Sequence, residues 1–370
     1  MPTATFAIGG SFRRNGGAFS ATSGTLKFIA SSAETLRFGS TAVTNLMFDG
    51  VLGSWSFVDA SATTTGNVQI LNGTVTAPTN TFAVGGSFIN AGTFTHNSGT
   101  VLMNSTDTGE VITPGSSSFY NLTLQGTGGG WTITNHATTT HNFALTTGSA
   151  FTLTSGQIMV VNGTFSNAIG GAATTWTGGT LYLNSGTAYS INAKSVNDVY
   201  GILEVGANTD ISMWNSSASN IIVNATGSLY SQDHGAVDGD LYIWGEYLRT
   251  TGTDYWSYAT DFDGTALGGS SRQVDVFVAT SSSLTFSGGA LNVLGVNGAT
   301  TTIQNNGDTA TYAFTVSGGT LNANYYTIRD GDVSGLALSG TPTVTSLSYG
   351  EFVVGTNTGT ALTVAGSVID

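Results

Sequence analysis

Apolar and polar residues alternate over short runs along the whole chain, and small residues interrupt the runs every few positions. Runs of this kind near the start are TLKFI, NLMF, SWSFV, NVQIL and TVTA. They recur roughly every 8–12 residues, as the strands of all-β proteins do, with Gly, Asn or Ser-Gly between them. We find no apolar stripe with the helical period of about 3.6 residues over the length of a helix. The pattern therefore predicts an all-β chain.

The chain also repeats itself with a long period of about 76 residues, as repeat proteins do. TFAIGGSF at 5–12 returns as TFAVGGSF at 81–88, and Trp55 in GSWSF matches Trp131 in GGWTI. Asn45 in TNLMFDG likewise matches Asn121 in YNLTLQG. A weaker third copy, with drifting offsets, includes NGTFSN, GGTLYLN and YGILEVG. Such drift is tolerated by loops on a repeat scaffold, so we expect three degenerate modules, at about 5–80, 81–160 and 161–230.

Short strands at regular spacing allow a sandwich, a propeller or a solenoid. A propeller needs tight hairpins, and few Asn-Gly or Asp-Gly turns separate matched alternating runs here. The period of the module divides into three or four coils of about 19–25 residues, a length typical of one turn of a solenoid. We therefore predict a parallel β-helix, with small and aliphatic side chains inside and Gly at the corners.

The C-terminal part repeats strand–corner–strand units: SLTFSGGALNVLG, AFTVSGGTLNAN and GLALSGTPTVTSL. We expect a second solenoid section at 269–370. These units and the GSF…GTF…SGTV…FYNLTL modules resemble repeat regions of large bacterial cell-surface proteins of the right-handed parallel β-helix and adhesin type. The resemblance covers most of the chain and implies an extracellular or cell-surface location with a structural or adhesive role. It implies no catalytic activity.

Charge is scarce and unevenly placed. Only 8% of the 370 residues are charged, and the chain has no cysteine, which excludes disulfides and Cys-ligated zinc. The net charge of −13 lies almost wholly in the second half of the chain. Lys and Arg do not cluster, so nucleic acid is not an expected partner. No apolar run reaches the length of a membrane-spanning helix.

Residues 231–268 form an acidic and aromatic stretch, for which we predict a loop-rich insertion or a junction between solenoid sections. DFDG at 261–264 resembles the start of a calcium loop, although Arg272 stands where such a loop carries its closing Glu. The candidate calcium ligands are Asp238, Asp240, Asp261 and Asp263. The candidate carbohydrate contacts are Trp244, Tyr255, Trp256 and Tyr258. The simpler interpretation is that the acidic residues form solvated turns and the aromatic residues a small core.

Two other functions find little support in the sequence. A polysaccharide lyase or hydrolase would use the same 231–264 stretch, but nothing there forms a recognisable catalytic motif. Ice binding would require Thr-x-Thr on a flat face once per coil. The chain repeats ATTT at 62–65 and 137–140, one module apart, with an isolated copy at 299–302. The sequence therefore does not predict ice binding.

The expected function is structural. A solenoid whose end strands are not covered by a cap can stack on a copy of itself, and head-to-tail contacts that do not close build a filament. We find no amphipathic capping helix at either terminus. We therefore expect a subunit of a stacked filament or a segment of an adhesin stalk, with calcium as the candidate ion. Binding to surface glycans through 231–264 is the alternative.

Overall fold

The computed structural model describes residues 5–16, 19, 23–170, 173–176, 178–191, 198–213, 216–223, 228–231, 234–237, 241–243, 246–249, 253–257, 275–305, 307, 311–354 and 359–369. The chain forms two compact units, residues 1–169 with 173–179 and residues 170–172 with 180–370. In each unit, parallel β-strands from successive coils stack on one another. Each unit is therefore a parallel β-solenoid, and the predicted fold class is confirmed.

Coils of the first unit place strands on three faces, which we call face 1, face 2 and face 3. Face 1 contains Thr5–Ile8, Thr25–Phe28, the start of Asn45–Phe57, the start of Val68–Thr76, Phe88–Asn90, Glu110–Thr113, Gly130–Ile133, Ala150–Leu153 and Thr174–Thr175. Face 2 contains Phe12–Arg13, Ala33–Arg37, the end of Asn45–Phe57, the end of Val68–Thr76, Thr93–Thr95, Ala137–Thr139 and Ile158–Val161. Face 3 contains Ser61–Thr64, Thr81–Val84, Thr100–Met103, Asn121–Gln125, Phe143–Thr147 and Phe165–Asn167.

The second unit also has three ladders of parallel strands. One contains Ala188–Ile191, Asp210–Met213, Ser228–Ser231, Glu246–Arg249, Ser283–Phe286, Tyr312–Val316, Gly331–Leu338 and Leu362–Val364. Another contains Thr180–Leu183, the end of Asp198–Val205, the end of Ser216–Val223, Leu241–Ile243, Asp275–Val278, Thr301–Asn305, Tyr326–Arg329 and Glu351–Val353. The third contains the starts of Asp198–Val205 and Ser216–Val223, then His234–Val237, Thr253–Ser257, Ala290–Leu294, Thr320–Asn324 and Thr343–Ser348. A short helix, Gly366–Ile369, follows the last strand.

The register of the first unit gives the coil length directly. Thr5 pairs with Thr25 and Thr25 with Asn45, so each of these coils takes about 20 residues, a usual length for one turn of a solenoid. On the same face, Phe88 pairs with Ile112 one coil later, so that coil is slightly longer. These lengths lie within the predicted range of about 19–25 residues per turn.

Alternate residues of each strand point into the core. In Thr25–Phe28 and Asn45–Phe57, the inward residues Phe28, Phe48 and Trp55 are 0% exposed. Phe28 stacks on Phe48 with ring centroids 5.2 Å apart, and Phe48 contacts Trp55 at 5.3 Å. Each fully buried side chain of this kind stabilises the fold by about 1.5–3 kcal/mol relative to an exposed one. Aromatic and aliphatic side chains stacked one coil above the next thus hold the unit together.

Asparagine side chains join successive coils at the corners. Before face 1, the Asn45 Oδ1 accepts a hydrogen bond from the Asn67 backbone N–H at 2.8 Å, and the Asn67 Oδ1 accepts one from the Ser87 N–H at 2.8 Å. A Cβ on Gly66 or Gly86 would lie 2.4 Å from one of these oxygens. The corner therefore requires glycine beside the asparagine ladder, because a side chain would clash with it.

The long sequence repeat does not match a whole number of coils. TFAI at 5–8 lies on face 1, whereas its copy TFAV at 81–84 lies on face 3. Trp55 lies on face 2 and its counterpart Trp131 on face 1. The chain passes the faces in the order 1, 2, 3, so one module covers three coils and two further faces. The module therefore spans between three and four coils, as expected, but not a whole number of them.

In the second copy of the repeat, the asparagine ladder stands at a different corner of the solenoid. Asn121, the counterpart of Asn45, begins the face 3 strand Asn121–Gln125, and its Oδ1 accepts a hydrogen bond from the Asn142 backbone N–H at 3.1 Å. The Asn142 Oδ1 in turn accepts one from the Thr164 N–H at 2.9 Å. The same side-chain ladder therefore serves two different corners of one solenoid, because its sequence was repeated out of phase with the coil.

The acidic stretch continues the solenoid where the structure describes it. Thr253–Ser257 pairs in parallel with His234–Val237 on one side and Ala290–Leu294 on the other. Ser228 pairs with Glu246 and Glu246 with Ser283, so the second of these coils is about twice as long as the first. The sequence predicted a loop-rich insertion or a junction over 231–268, and the strands that the structure describes there are coil strands. The extra length lies after Ser257, at 258–274, outside the described residues.

We predict that Phe48→Ala lowers the free energy of unfolding by about 3–5 kcal/mol, because it leaves a cavity between Phe28 and Trp55. Val51→Ala is the matched control: Val51 lies three positions further along the same strand and is 68% exposed. Its effect should stay within about 0.5 kcal/mol. Urea titration followed by tryptophan fluorescence measures both variants, and equal losses would contradict the aromatic core.

Candidate functional site

Most of the residues predicted to bind calcium or sugar lie outside the described residues. These are Asp238, Asp240, Trp244, Tyr258, Asp261 and Asp263. Their roles stay predictions. For Tyr255 the structure describes the backbone, which belongs to the strand Thr253–Ser257.

Trp256 is a core residue and not a surface contact for sugar. It is 0% exposed, and its ring lies 5.6 Å from that of Phe286 and 5.9 Å from that of Tyr247. Because residues of a strand point alternately to opposite faces, the inward position of Trp256 follows from the register of its strand. The sequence-based assignment of Trp256 to a carbohydrate site is therefore corrected.

Carboxylates of the first unit serve as structural hydrogen-bond acceptors. Ser11 donates to Glu34 at 2.6 Å, and Ser87 donates to Glu110 at 2.6 Å, which is the same contact one module later. Hydrogen bonds from Ser11 and Ser32 hold the pKa of Glu34 below its ordinary value. Among the described residues, no group of three or more His, Asp and Glu side chains could hold a metal ion.

Asp49 lies at the centre of a charged contact on face 1. The Lys27 Nζ lies 2.7 Å from the Asp49 Oδ2, and the Asn72 amide donates to the Asp49 Oδ1 at 2.7 Å. The hydrogen bond from Lys27, followed by that from Asn72, lowers the pKa of Asp49 below its ordinary 3.8. Lys27, Asp49 and Asn72 come from three successive coils, so this contact joins coils on the outside of the solenoid.

Face 2 carries a regular array of hydroxyl groups, which we call the hydroxyl grid. It consists of Ser54, Ser56, Thr74, Thr76, Thr93 and Thr95. Ser54 pairs with Thr74 and Thr74 with Thr93, while Ser56, Thr76 and Thr95 form a parallel second row. The residues between the two rows, Trp55, Val75 and Phe94, are buried. The six hydroxyl-bearing side chains therefore share the outer surface of three neighbouring strands.

The hydroxyls of the grid have no protein partner within the part of the chain that the structure describes. Thr93 and Thr95 are exposed and the other four are half-buried between neighbouring strands. Strand geometry separates neighbouring coils by about 4.8 Å and residues i and i+2 by about 6.7 Å. The grid is thus a nearly rectangular lattice of hydroxyl groups that face solvent.

A second set of threonines occupies face 1 one module later. Thr132 and Thr152 are register partners, and they are the counterparts of Ser56 and Thr76 in the next copy of the repeat. The row beside them is bonded internally: the Thr113 and Thr134 hydroxyls lie 2.8 Å apart, and Thr154 donates to the Ile133 carbonyl at 2.9 Å. This face therefore offers fewer free hydroxyls than the hydroxyl grid.

Among the described residues, two stacked pairs of aromatic rings lie at the surface. In the second unit, the rings of Tyr325 and Tyr349 stack with centroids 4.8 Å apart and an interplanar angle of 7°. Both residues have a left-handed backbone, with φ of 50° and 51°, and Tyr349 is 73% exposed. In the first unit, Tyr120 stacks on His141 at 4.8 Å. A bulky residue at positive φ costs about 1–2 kcal/mol, so the tyrosine pair is held against backbone strain.

Comparison with protein-family models, curated proteins and solved structures finds no match to this chain. No helix among the described residues is long and apolar enough to cross a membrane.

The hydroxyl grid was missed in the sequence although its residues are visible there as SWS, TVT and TFT. The most conspicuous threonine motif is ATTT, which recurs only once per module. The spacing of TVT and TFT equals one coil of face 2, because Thr76 and Thr95 are register partners. The equal spacing identifies the two motifs as neighbours on one face only when the length of the coil is known.

We predict that acid weakens the fold partly through Asp49. Because its pKa is lowered in the folded state, its contribution is present above its ordinary pKa of 3.8 and is lost as pH falls through the lower folded value. Asp49→Asn should therefore reduce the fall in melting temperature between about pH 6 and about pH 3. Lys27→Met, which removes the main partner, should do the same. Thermal melts by circular dichroism test both variants, and an unchanged pH dependence in both would refute the contact.

Proposed function

We propose that this chain is a structural protein of the cell surface, acting as a segment of an adhesin stalk or a subunit of a stacked filament. The observation that supports this best is the ladder of parallel strands on three sides of each unit. Where the structure describes the chain, the strands of successive coils pair with one another, and buried aromatic side chains contact their counterparts in the next coil. A stack of coils of this kind resists bending and extends by adding coils, as repeat proteins do.

Self-association would use the strands at the ends of the ladders. Among the described strands, Thr5–Ile8 pairs only with Thr25–Phe28, and Leu362–Val364 pairs only with Gly331–Leu338. Phe6 is the register partner of Leu26, whose side chain is buried in the core, yet Phe6 itself is 51% exposed. A strand edge that is unpaired among the described residues, beside an exposed apolar ring, favours parallel pairing with a further coil, which a second copy would supply in a filament. Calcium stays a candidate ion of the acidic stretch, whose strand Thr253–Ser257 lies within the stack of coils and not at an end strand.

Electron microscopy of the purified full chain at neutral pH tests the filament. We expect fibres with an axial repeat near the length of one subunit. Phe6→Asp places a charge in the inward row at the end strand and should abolish the fibres. Thr63→Asp, at an exposed position of face 3, is the control and should leave them intact.

Separate rods in the wild-type protein would overturn self-assembly and leave the stalk segment. Fibres that persist in a calcium chelator would exclude calcium from the joint. Fibres that dissolve in the chelator would show that the filament needs calcium.

Glycan adhesion is a second candidate function, and the tyrosine stack favours it. Sugars bind the faces of exposed aromatic rings. Tyr349 is covered by Tyr325 on one face and is mostly exposed, so its other face is available. Backbone strain at both tyrosines supports a role for the rings themselves, since strained residues cluster at functional sites.

We predict that Tyr349→Ala lowers binding to a responsive glycan on an array by about tenfold, which corresponds to about 1.4 kcal/mol of lost stacking. Tyr120→Ala, which removes the other surface stack, is the matched control and should leave binding unchanged. A wild-type chain that binds no glycan, or equal losses in both variants, would contradict this role.

A further inference from the structure

The hydroxyl grid on face 2 presents a periodic surface, and a periodic surface suits a periodic ligand. We propose that the grid, formed by Ser54, Ser56, Thr74, Thr76, Thr93 and Thr95, binds the surface of ice. This inference is independent of the filament and of glycan adhesion, because it concerns a lateral face of the first unit only.

The spacing of the grid supports ice as the ligand. The backbone fixes its repeats at about 4.8 Å between coils and about 6.7 Å along a strand. The spacing between coils is close to the separation of oxygen atoms along one direction of the prism face of hexagonal ice, and the spacing along a strand is somewhat shorter than the separation along the other direction. Both repeats occur together because Thr76 pairs with Ser56 on one side and Thr95 on the other, without a register shift between them.

The chemistry of the grid also suits water in a lattice. Each hydroxyl can donate one hydrogen bond and accept two, as a surface water of ice requires. None of the six hydroxyls is used inside the described part of the protein. The four threonines add methyl groups between the hydroxyls, and none of the six positions carries a charge. Water over the grid therefore meets regularly spaced partners and no strongly hydrated ion.

The strands under the grid keep it rigid. Trp55 and Val75 are 0% exposed and Phe94 is 4% exposed, so each strand is anchored in the core between its two hydroxyl-bearing residues. A preorganised surface loses little conformational entropy on binding. A flexible loop with the same side chains would have to be ordered first.

A crystalline polysaccharide is the competing ligand with a similar hydroxyl pattern. Protein surfaces that bind sugars combine hydrogen-bonding groups with exposed aromatic rings. On the strands of the grid the aromatic rings, Trp55 and Phe94, point into the core. The face is therefore better suited to ice than to a glycan.

The repeat strengthens the case for a surface built from hydroxyls. The first copy of the repeat supplies Ser56 and Thr76 on face 2, and the second copy supplies their counterparts, Thr132 and Thr152, on face 1. We expect this second face to bind ice less well, because Thr113, Thr134 and Thr154 use their hydroxyls within the protein.

The test is partition of the purified full chain into slowly growing polycrystalline ice, compared with an inert globular protein of similar mass. The wild-type chain should concentrate in the ice. Thr76→Lys, at the centre of the grid, should lower the partition about tenfold, equivalent to about 1.4 kcal/mol. Thr123→Lys is the matched control: Thr123 is half-buried on the outer side of face 3 and pairs with Leu102 and Ala144. It should partition like the wild type.

Thr95→Gln, at an exposed position of the grid, is measured beside Thr76→Lys, and circular dichroism establishes that each variant is folded. A similar loss in both grid variants with none in Thr123→Lys supports the proposal. Exclusion of the wild-type chain from ice overturns it, as does an equal loss in Thr123→Lys. Binding to crystalline cellulose that depends on Thr76, with exclusion from ice, would assign the grid to a glycan instead.

Discussion

The structure depends on one constraint: after about 20 residues the chain must return to the same face in register with the strand before it. When this condition holds, backbone N–H and C=O groups pair between coils, and inward side chains fall directly on their predecessors. The contact of Phe28 with Phe48 follows from the pairing of Thr25 with Asn45 at the start of the same two strands. A slip of one residue would turn every inward side chain to the outside.

The same constraint explains what the core tolerates. Trp55, Trp131 and Trp256 are buried with indole N–H groups that have no hydrogen-bond partner in the described part of the chain. Leaving a buried donor unpaired costs about 1–3 kcal/mol. The cost is offset by the apolar area that each indole buries, since large aromatic rings fill the space between coils. Gly53, Gly73 and Gly129 make room for these rings, because a Cβ at any of them would lie less than 3.0 Å from an indole carbon.

Which outward residues lie on which face depends on the length of the sequence repeat relative to the length of one coil. One module covers three coils and two faces, so each copy is turned onto a neighbouring face. Three features appear twice, on different sides of the first unit. They are the hydrogen bond from Ser11 to Glu34 and from Ser87 to Glu110, the asparagine ladder that begins at Asn45 and at Asn121, and the outward pair Ser56 with Thr76 and Thr132 with Thr152. A duplication out of phase with the coil is tolerated because all three faces have the same inward and outward alternation. It also spreads one set of outward residues over two faces.

Local patterns in the sequence were sufficient for the fold and insufficient for the surfaces. The alternation in TLKFI and NLMF, with glycine between the runs, predicted short strands, and the repeat predicted a solenoid with coils near the observed length. The burial of Trp256 could not be predicted from its acidic surroundings, because it depends on the register of Thr253–Ser257 against Ala290–Leu294.

What the sequence by itself determined is the class of structure, since alternation and corner glycines act within a few residues. Only the tertiary structure decided which side chains share a face. Thr76 and Thr95 come from successive coils and meet only because face 2 returns to register at that spacing. Trp55 and Trp131 have similar local sequences but lie on different faces, because the coil does not divide the repeat evenly. Long-range register therefore decided the surfaces of this protein, and no local pattern contains it.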